Sequence, residues 1–458
     1  MARIKEMDLT SGSIFKKLFI YAVPFIFTNI LQIFFSATDI AVLGIMVDDK
    51  AVAAVGANSA LNGLLVNLFI GLSIGANIVL ARYVGARDLE SSRRTVGTAI
   101  LIALIAGIIL LAIGVPMAQT FLVWMGCDPD VLAMATVYLR IYFIGMPIMM
   151  VYNFSASILR AIGDTRRPLI FLAIGGVANV FLNIMFILMG MTVEGVAIGT
   201  IASQFISASL TLGVLFKGNG YGSLKFKYLK IFKKQLKEIL AIGVPSGLQS
   251  LAFNISNVLI QSTVNSFGQV GMSANTTAAQ FDAIVYNVGN AVSMSTMSFV
   301  GQNIGARRMD RVKRTIIDGA ILVFIIQFGL GSIFALLAPR LCGIIANAPE
   351  VIEMASIRLV IMALSYFICG EMEVCANSVR AMGKPVVSLI ISVLGASVCR
   401  VLILEISFSF YPYFHTIFFS YPASWLITVL LYLVVVPKVF KHTKKKINAP
   451  QESVNTQN

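Results

Sequence analysis

The stretch AVPFIFTNILQIFFSATDIAVLG, residues 22–44, decides how the rest of the chain is organised. It is long and apolar enough to cross a bilayer as one helix, which takes about 20 residues. It also carries a carboxylate, Asp39, although a charge within the bilayer costs about 2.5–3.5 kcal/mol and is rarely kept without a function. Asn29 and Gln32 lie about two turns earlier on a similar face, and Pro24 loosens the first turn. This pattern is typical of a membrane helix that lines a polar cavity.

The remainder of the chain is equally apolar. Of its 458 residues, 58% are hydrophobic and only 12% are charged, which is roughly half the charged fraction of a soluble protein. The composition predicts an all-α polytopic membrane protein. Twelve transmembrane spans are expected, near residues 18–44, 52–81, 96–117, 132–158, 169–189, 195–216, 239–265, 272–300, 316–338, 351–379, 386–409 and 416–436.

The net charge of +14 is explained by where the charges lie. Most of the 35 Lys and Arg residues fall in the N-terminal segment, in every second loop and in the C-terminal tail. This asymmetry follows the positive-inside rule and predicts a multi-pass protein of the plasma membrane with both termini in the cytoplasm. The basic excess therefore reflects topology, and no nucleic-acid partner is expected.

Residues that could carry covalent chemistry are sparse. The five cysteines lack CxxC spacing and the two histidines, His415 and His442, are far apart in sequence, so neither a disulfide framework nor a zinc site is expected. The chain contains no nucleophile–base constellation and no Walker motif. The sequence therefore predicts a protein that is not an enzyme and that needs no cofactor.

The chain repeats itself at an offset of 220 residues. Three segments recur in the same order: VGARDLESSRRT (84–95) as IGARRMDRVKRT (304–315), LRAIGD (159–164) as VRAMGK (379–384), and, one residue further apart, VP (23–24) as VP (244–245). Each half holds six predicted spans, an even number. The two halves therefore start on the same membrane face and are related by an axis along the membrane normal.

The repeat predicts the domain boundaries. They are an N-terminal six-helix bundle over residues 1–216, a basic cytoplasmic linker over 217–237, a C-terminal six-helix bundle over 238–440 and a cytoplasmic tail over 441–458. Gly71 and Gly75 are spaced for close helix packing. Gly85 and Gly305, in the matched GAR turns, are expected to be left-handed helix caps.

This ordered set of motifs resembles bacterial members of the multidrug and toxic compound extrusion (MATE) family. The two VP entries, the two GAR turns, the RAIGD and RAMGK turns, EGVA at 194–197 and YPASW at 421–425 carry the likeness, which covers nearly the whole chain. The resemblance implies two pseudo-symmetric six-helix bundles in a V around a central cavity. It also implies a secondary antiporter that exports cationic and amphipathic compounds by alternating access, driven by inward flow of H⁺ or Na⁺.

The resemblance implies a cation or proton site in the N-terminal bundle, built on an acid of the first span with partners from the fifth and sixth. The matching positions are Asp39, Asn179, Asn183 and Thr200, where the amide of Asn183 replaces an acid that relatives often carry. From the residues alone, Asn179 and Asn183 share a helical face, and hydrogen bonding between helices is the alternative role. Asp39 can hold Na⁺ through oxygen ligands or exchange a proton, and no other metal site is expected.

The family's second site lies in the C-terminal bundle, where the candidates are Glu373, Asp282, Gln249 and Asn257. The seventh span offers amides but no acid, so this site matches the family less well. Four further residues are candidates for the wall of the substrate cavity: Gln32, Asn62, Met149 and Asn153. At the offset of 220, Asn62 corresponds to Asp282 and Asn153 to Glu373. Arg400 is expected to neutralise Glu405 in the eleventh span.

Small organic cations and the lipid bilayer are the expected partners, and the chain is expected to act as a monomer. One alternative is a lipid-linked saccharide flippase of the same superfamily, which would line its cavity with arginine. Only Arg140, Arg358 and Arg400 lie within the predicted spans, and this disfavours the flippase. A channel or receptor is a second alternative, and uphill accumulation of a substrate would exclude it.

Overall fold

The protein is a bundle of long helices. The structure is a computed structural model and describes residues 6–448, apart from the side chains of residues 59–62 and 64–68. Its α-helices are α1 (Ile14–Met46), α2 (Asp49–Gly85), α3 (Leu89–Trp124), α4 (Pro129–Ala161), α5 (Arg166–Leu188), α6 (Val193–Lys217), α7 (Lys233–Asn265), α8 (Gly268–Gly305), α9 (Met309–Leu336), α10 (Ala338–Ile345), α11 (Pro349–Ala381), α12 (Pro385–Ser392), α13 (Cys399–Phe410) and α14 (Phe414–Asn448).

All twelve predicted spans are present. Each span is a single helix except the one predicted near residues 386–409. That span consists of α12 and α13, which a π-helical segment, Val393–Val398, joins without a break. Over the described residues, ten of the twelve are long and apolar enough to cross a membrane by length and composition. The helices form two pseudo-symmetric six-helix bundles in a V, which confirms the predicted fold class. The segment that connects them, residues 218–232, contains one 3₁₀ turn at Phe226–Tyr228.

The bundles meet where α2 and α8 end, on the face where α1 begins and α14 ends. A Cβ atom on Gly85 would overlap the carbonyl oxygen of Gln302, and a Cβ on Gly305 would overlap that of Arg82. These glycines are therefore needed because two backbones touch. The prediction that they are left-handed caps is wrong: the residues with positive φ in these turns are Arg87, at 58°, and Arg307, at 57°.

Two hydrogen bonds cross between the bundles beside this contact. The Arg82 side chain on α2 donates to the Ala381 carbonyl at 2.7 Å, and the Gln302 side chain on α8 donates to the Ala161 carbonyl at 2.7 Å. The two bonds are related by the 220-residue offset in both donor and acceptor. Each bundle thus holds the end of the other bundle's fourth helix in the same way.

A second close contact joins α2 to α7. A Cβ atom on Gly71 would overlap the backbone nitrogen of Gly247, and one on Gly75 would overlap the carbonyl oxygen of Ile239. The expected role of Gly71 and Gly75 in close packing is confirmed. Because these residues lie in the half of α2 nearer the termini, they extend the closed region from that face into the molecule.

The chain that precedes α1 also links the two bundles, and residues 7–12 are called here the N-terminal strap. The backbone N–H of Met7 donates to the carbonyl of Gly163, in the turn between α4 and α5. Three side chains of the second bundle donate to strap carbonyls: Asn303 to Leu9 at 3.2 Å, Arg308 to Thr10 at 2.8 Å and Arg311 to Gly12 at 2.9 Å. The strap therefore spans the closed face.

Asp8 holds the strap in its turn. Partial burial acts to raise the pKa of Asp8. Hydrogen bonds from Ser11 and Thr10 and the nearby charge of Lys17 outweigh this effect and lower the pKa to about 2. A carboxylate whose pKa is lowered by folding contributes stability above its ordinary pKa of about 4 and loses that contribution as the pH falls towards the lowered value. The turn is therefore stable throughout the neutral range.

We expect Gly71→Ala to destabilise the protein, because the added methyl group meets backbone, which cannot move aside as a side chain can. Overpacking of this kind costs about 1–3 kcal/mol. The matched control is Gly213→Ala in α6, where an added Cβ meets nothing within 4 Å. The midpoint of thermal unfolding of the purified protein should fall for Gly71→Ala only. Equal midpoints for the two variants would contradict the close contact of α2 with α7.

Candidate cation site and central cavity

Asp39 on α1 faces α5 and α6. The Asn183 side-chain amide donates to Asp39 Oδ1 at 2.6 Å, and Thr200 Oγ1 lies 3.4 Å from Asp39 Oδ2. The Asn179 amide in turn donates to Thr200 Oγ1 at 3.3 Å. The structure thus brings together all four residues of the predicted cation or proton site, from three helices.

Small residues allow these helices to come so close. A Cβ on Gly199 of α6 would overlap Oδ1 of Asn183, and a Cβ on Gly176 of α5 would overlap the ring of Phe35 on α1. Asn179 and Asn183, four residues apart, lie on the same face of α5 and are both buried. The glycines therefore set the distance between helices, and the i, i+4 spacing places both amides in the cluster, Asn183 against Asp39 and Asn179 against Thr200.

The oxygen atoms of this cluster suit a hard monovalent cation. Besides the Asp39 carboxylate and the Thr200 hydroxyl, Asn179 offers a buried Oδ1 atom that has no hydrogen-bond partner within the described part of the chain. Carboxylate, carbonyl and hydroxyl oxygens are the ligands that hard cations prefer. Asp39 is also the only acid of the four residues, so a proton is the other ion that the cluster can take.

Asp39 opens onto a cavity of about 500 Å³ inside the first bundle, called here the lobe cavity. Among the described side chains that line it, Asp39 is the one charged group. Aromatic rings form much of the wall: Phe35, Tyr138, Tyr142 and Tyr152. Three of the predicted cavity residues, Gln32, Met149 and Asn153, also line it. A carboxylate surrounded by aromatic faces is suited to organic cations.

A second cavity of about 320 Å³, the central cavity, lies between the bundles. Gln32, Asn153 and Tyr152 line both cavities, so the two share a wall. From the second bundle, the predicted residues Gln249 and Glu373 reach the central cavity. Asn62, the remaining predicted cavity residue, falls among the side chains that the structure does not describe.

Two arginines of the central cavity escaped the sequence analysis. Arg160 and Arg380 lie in the last turns of α4 and α11 and line this cavity, whereas the predicted spans place both residues in loops. The predicted spans ended at residues 158 and 379, whereas the helices continue to 161 and 381. The offset of 220 residues that relates Arg160 to Arg380 is the signal that could have found them.

The four candidates for a second site do not come together. Asp282, expected to line the cavity, forms a buried ion pair with Arg358 at 2.7 Å and lines neither cavity. Asn257 is exposed, and its Oδ1 accepts a hydrogen bond from Arg400 at 3.3 Å. Only Glu373 and Gln249 share a cavity, so the structure contradicts a single site built from all four.

The expected pair of Arg400 with Glu405 is also wrong. Arg400 lies over the rings of Tyr421 and Trp425, 4.3 and 5.6 Å from their centroids, and donates to Ser424. Glu405 is exposed on the outside of α13. Five residues of helix separate side chains by about 140°, which directs them to different faces.

We expect the ion pair of Asp282 with Arg358 to be structural. Removing one partner leaves a buried charge unpaired, at a cost of about 3–5 kcal/mol, whereas replacing both with apolar residues is often neutral. Asp282→Leu should therefore lower the thermal midpoint markedly, and Asp282→Leu with Arg358→Met should restore most of it. A double variant no more stable than the single one would contradict this interpretation.

Comparison with known families agrees with the two-half architecture. A family model described as MatE matches residues 24–185 and residues 245–404. The two matched segments fall in the two bundles, and together they cover well over half of the chain.

Curated relatives and a solved structure match over most of their length. The chain is 27% identical to the "Probable multidrug resistance protein YoeA" of Bacillus subtilis over 435 residues, 92% of each chain. It is 25% identical to the "Probable multidrug resistance protein NorM" of Thermotoga maritima over 408 residues, 87% of this chain and 86% of the relative. A solved structure described as the outward-facing conformation of a MATE family transporter superposes with a TM-score of 0.89 at 20% identity, covering 96% of this chain and 100% of that one.

Proposed function

This chain belongs to the MatE family of multidrug efflux transporters, and we propose that it is a secondary antiporter that exports cationic and amphipathic compounds in exchange for H⁺ or Na⁺. Transporters of this family are not enzymes and need no cofactor. The observation that carries the proposal is the contact of Asp39 with Asn183 and Thr200 at the wall of the lobe cavity.

Asp39 would couple the ion to movement through the helices that it touches. As a carboxylate it accepts a hydrogen bond from Asn183 on α5 and faces Thr200 on α6. A proton or Na⁺ on the carboxylate competes with the Asn183 N–H group for the same oxygen. Ion binding therefore weakens the attachment of α1 to α5, and α1 contains Pro24 in its interior, where a proline removes one backbone hydrogen bond of the helix.

Exchange between two faces requires the bundles to rock. We propose that residues 1–216 and 238–440 move as the two units, and that the linker at 217–237 and the tail at 441–458 stay in the cytoplasm with both termini. The closed contact of α2 with α8 would then lie on the cytoplasmic side. One charge that crosses a potential of 100 mV supplies about 2.3 kcal/mol. This is enough to shift the equilibrium between two bundle arrangements that differ by a similar free energy.

The substrate class follows from the lobe cavity. Its single carboxylate and its aromatic wall suit a small organic cation that enters from water or from the bilayer. Because each chain encloses its own cavities, we propose that the transporter works as a monomer in the plasma membrane.

A lipid-linked saccharide flippase is a second candidate, favoured by one observation. Arg160 and Arg380 line the central cavity, and an anionic lipid-linked cargo would need such residues. This alternative leaves the Asp39 cluster and the aromatic wall of the lobe cavity without a role. The antiporter accounts for both, and it is therefore our conclusion.

The test is transport of ethidium by the purified protein in lipid vesicles, with H⁺ and Na⁺ gradients imposed separately. The wild-type protein should accumulate ethidium against its gradient with at least one of the two ions. An ion gradient whose free energy corresponds to 100 mV, about 2.3 kcal/mol, supports an accumulation of roughly 50-fold for each ion exchanged. Asp39→Asn should reduce this accumulation to none.

The matched control is Glu405→Gln, which removes an acid from a span on the exposed side of α13 and should leave accumulation unchanged. Normal uphill transport by Asp39→Asn would exclude the proposed role of Asp39. If the wild-type protein carried ethidium only downhill under both gradients, it would be a channel or a facilitator, and the antiporter proposal would fail.

A further inference from the structure

The central cavity holds an unusual arrangement of charge for a transporter of organic cations. Among the described side chains that line it, the charged ones are Arg160, Arg380 and Glu373. Two positive charges and one negative charge leave the cavity with a net positive charge. The adjoining lobe cavity, by contrast, contains only the carboxylate of Asp39. The two adjoining cavities therefore have opposite polarity.

The two arginines have unused hydrogen-bonding capacity. Arg380 is 5% exposed, one of its nitrogens donates to Asn377 Oδ1 at 2.7 Å, and its Nε has no partner within the described part of the chain. The guanidinium of Arg160 lies 4.5 Å from the ring centroid of Phe25. In the described residues neither arginine forms an ion pair with a carboxylate.

The two arginines are not explained as partners that balance the charge of Glu373. Glu373 lies two turns before Arg380 on the same face of α11, yet the two form no ion pair in the part of the chain described. One carboxylate also cannot balance two guanidinium groups. A buried polar group without a partner costs free energy, so such groups are normally paired, by water or by a ligand.

We propose that Arg160 and Arg380 form an oxyanion-binding site in the central cavity, which receives the carboxylate or phosphate group of a zwitterionic amphipathic substrate. Guanidinium groups bind such oxyanions through paired, charge-assisted hydrogen bonds. The cationic end of the same substrate reaches the aromatic wall and Asp39 in the lobe cavity, across the shared wall at Gln32 and Asn153. This inference rests on the proposed function for the placement of the cationic end only.

The test compares two ligands that differ in one charge: norfloxacin, which carries a carboxylate and an ammonium group, and its methyl ester, which lacks the carboxylate. Equilibrium binding of each is measured with the full-length protein in nanodiscs of neutral phosphatidylcholine. The wild-type protein should bind norfloxacin about tenfold more tightly than the ester, as expected for a charge-assisted hydrogen bond.

The variants separate a binding role from a structural one. Arg160→Gln and Arg380→Gln should each lower the affinity for norfloxacin about tenfold and remove the preference over the ester. Arg380→Lys, which keeps the charge, should retain part of the preference. Arg87→Gln and Arg307→Gln are the matched controls, because these exposed arginines are also related by 220 residues and should keep the full preference.

Two results would overturn the proposal. One is a wild-type protein that binds the methyl ester at least as tightly as norfloxacin itself, a measurement that needs no variant to fold. The other is a loss of affinity for acid and ester alike in the arginine variants, which indicates a structural role. Binding needs no ion gradient, so failure of the ethidium experiment leaves this test intact.

Discussion

The structure depends on one contact, the crossing of α2 with α8 on the face where α1 begins and α14 ends. Gly85 and Gly305 allow the two backbones to touch, and Arg82 and Gln302 tie each bundle to the fourth helix of the other. The internal repeat relates these two hydrogen bonds to each other. Separating the bundles at this crossing therefore breaks both the Arg82 bond and the Gln302 bond. The crossing therefore holds the two bundles together on this face, and the antiport cycle that we propose would require it to open.

The internal repeat gives the two bundles the same helical architecture, and the proposed ion site lies where the two copies differ in sequence. Pro24 corresponds to Pro245 at an offset of 221 residues, and at this offset Asp39 corresponds to Ile260. The second bundle therefore has no carboxylate at the position that corresponds to Asp39, around which we propose the ion site of the first bundle. Duplicated residues, by contrast, serve the contact between the bundles or line the cavity between them. This division explains why a coupled ion would act on one bundle alone.

Sequence reasoning succeeded where a pattern has one physical meaning. Long apolar runs predict spans, and an i, i+4 pair of amides predicts a shared face. It failed where one signal has two meanings: Gly85 before a turn is compatible with a cap and with a backbone contact, and only the neighbouring helix distinguishes them. Arg160 and Arg380 were missed because hydropathy does not locate the end of a helix to within one turn. The pairing of Arg400 with Glu405 ignored the direction of side chains on a helix.

The N-terminal strap has a mechanical consequence. Its anchors on the two bundles, the N–H of Met7 and the carbonyl of Leu9, are two residues apart in the chain. Two residues of fully extended chain reach about 7 Å. While both bonds hold, the strap acts as a short tether that limits how far Gly163 and Asn303 can separate. Wider separation of the bundles at this face requires one of these two strap hydrogen bonds to break first, so the N-terminal strap would set a limit on the motion.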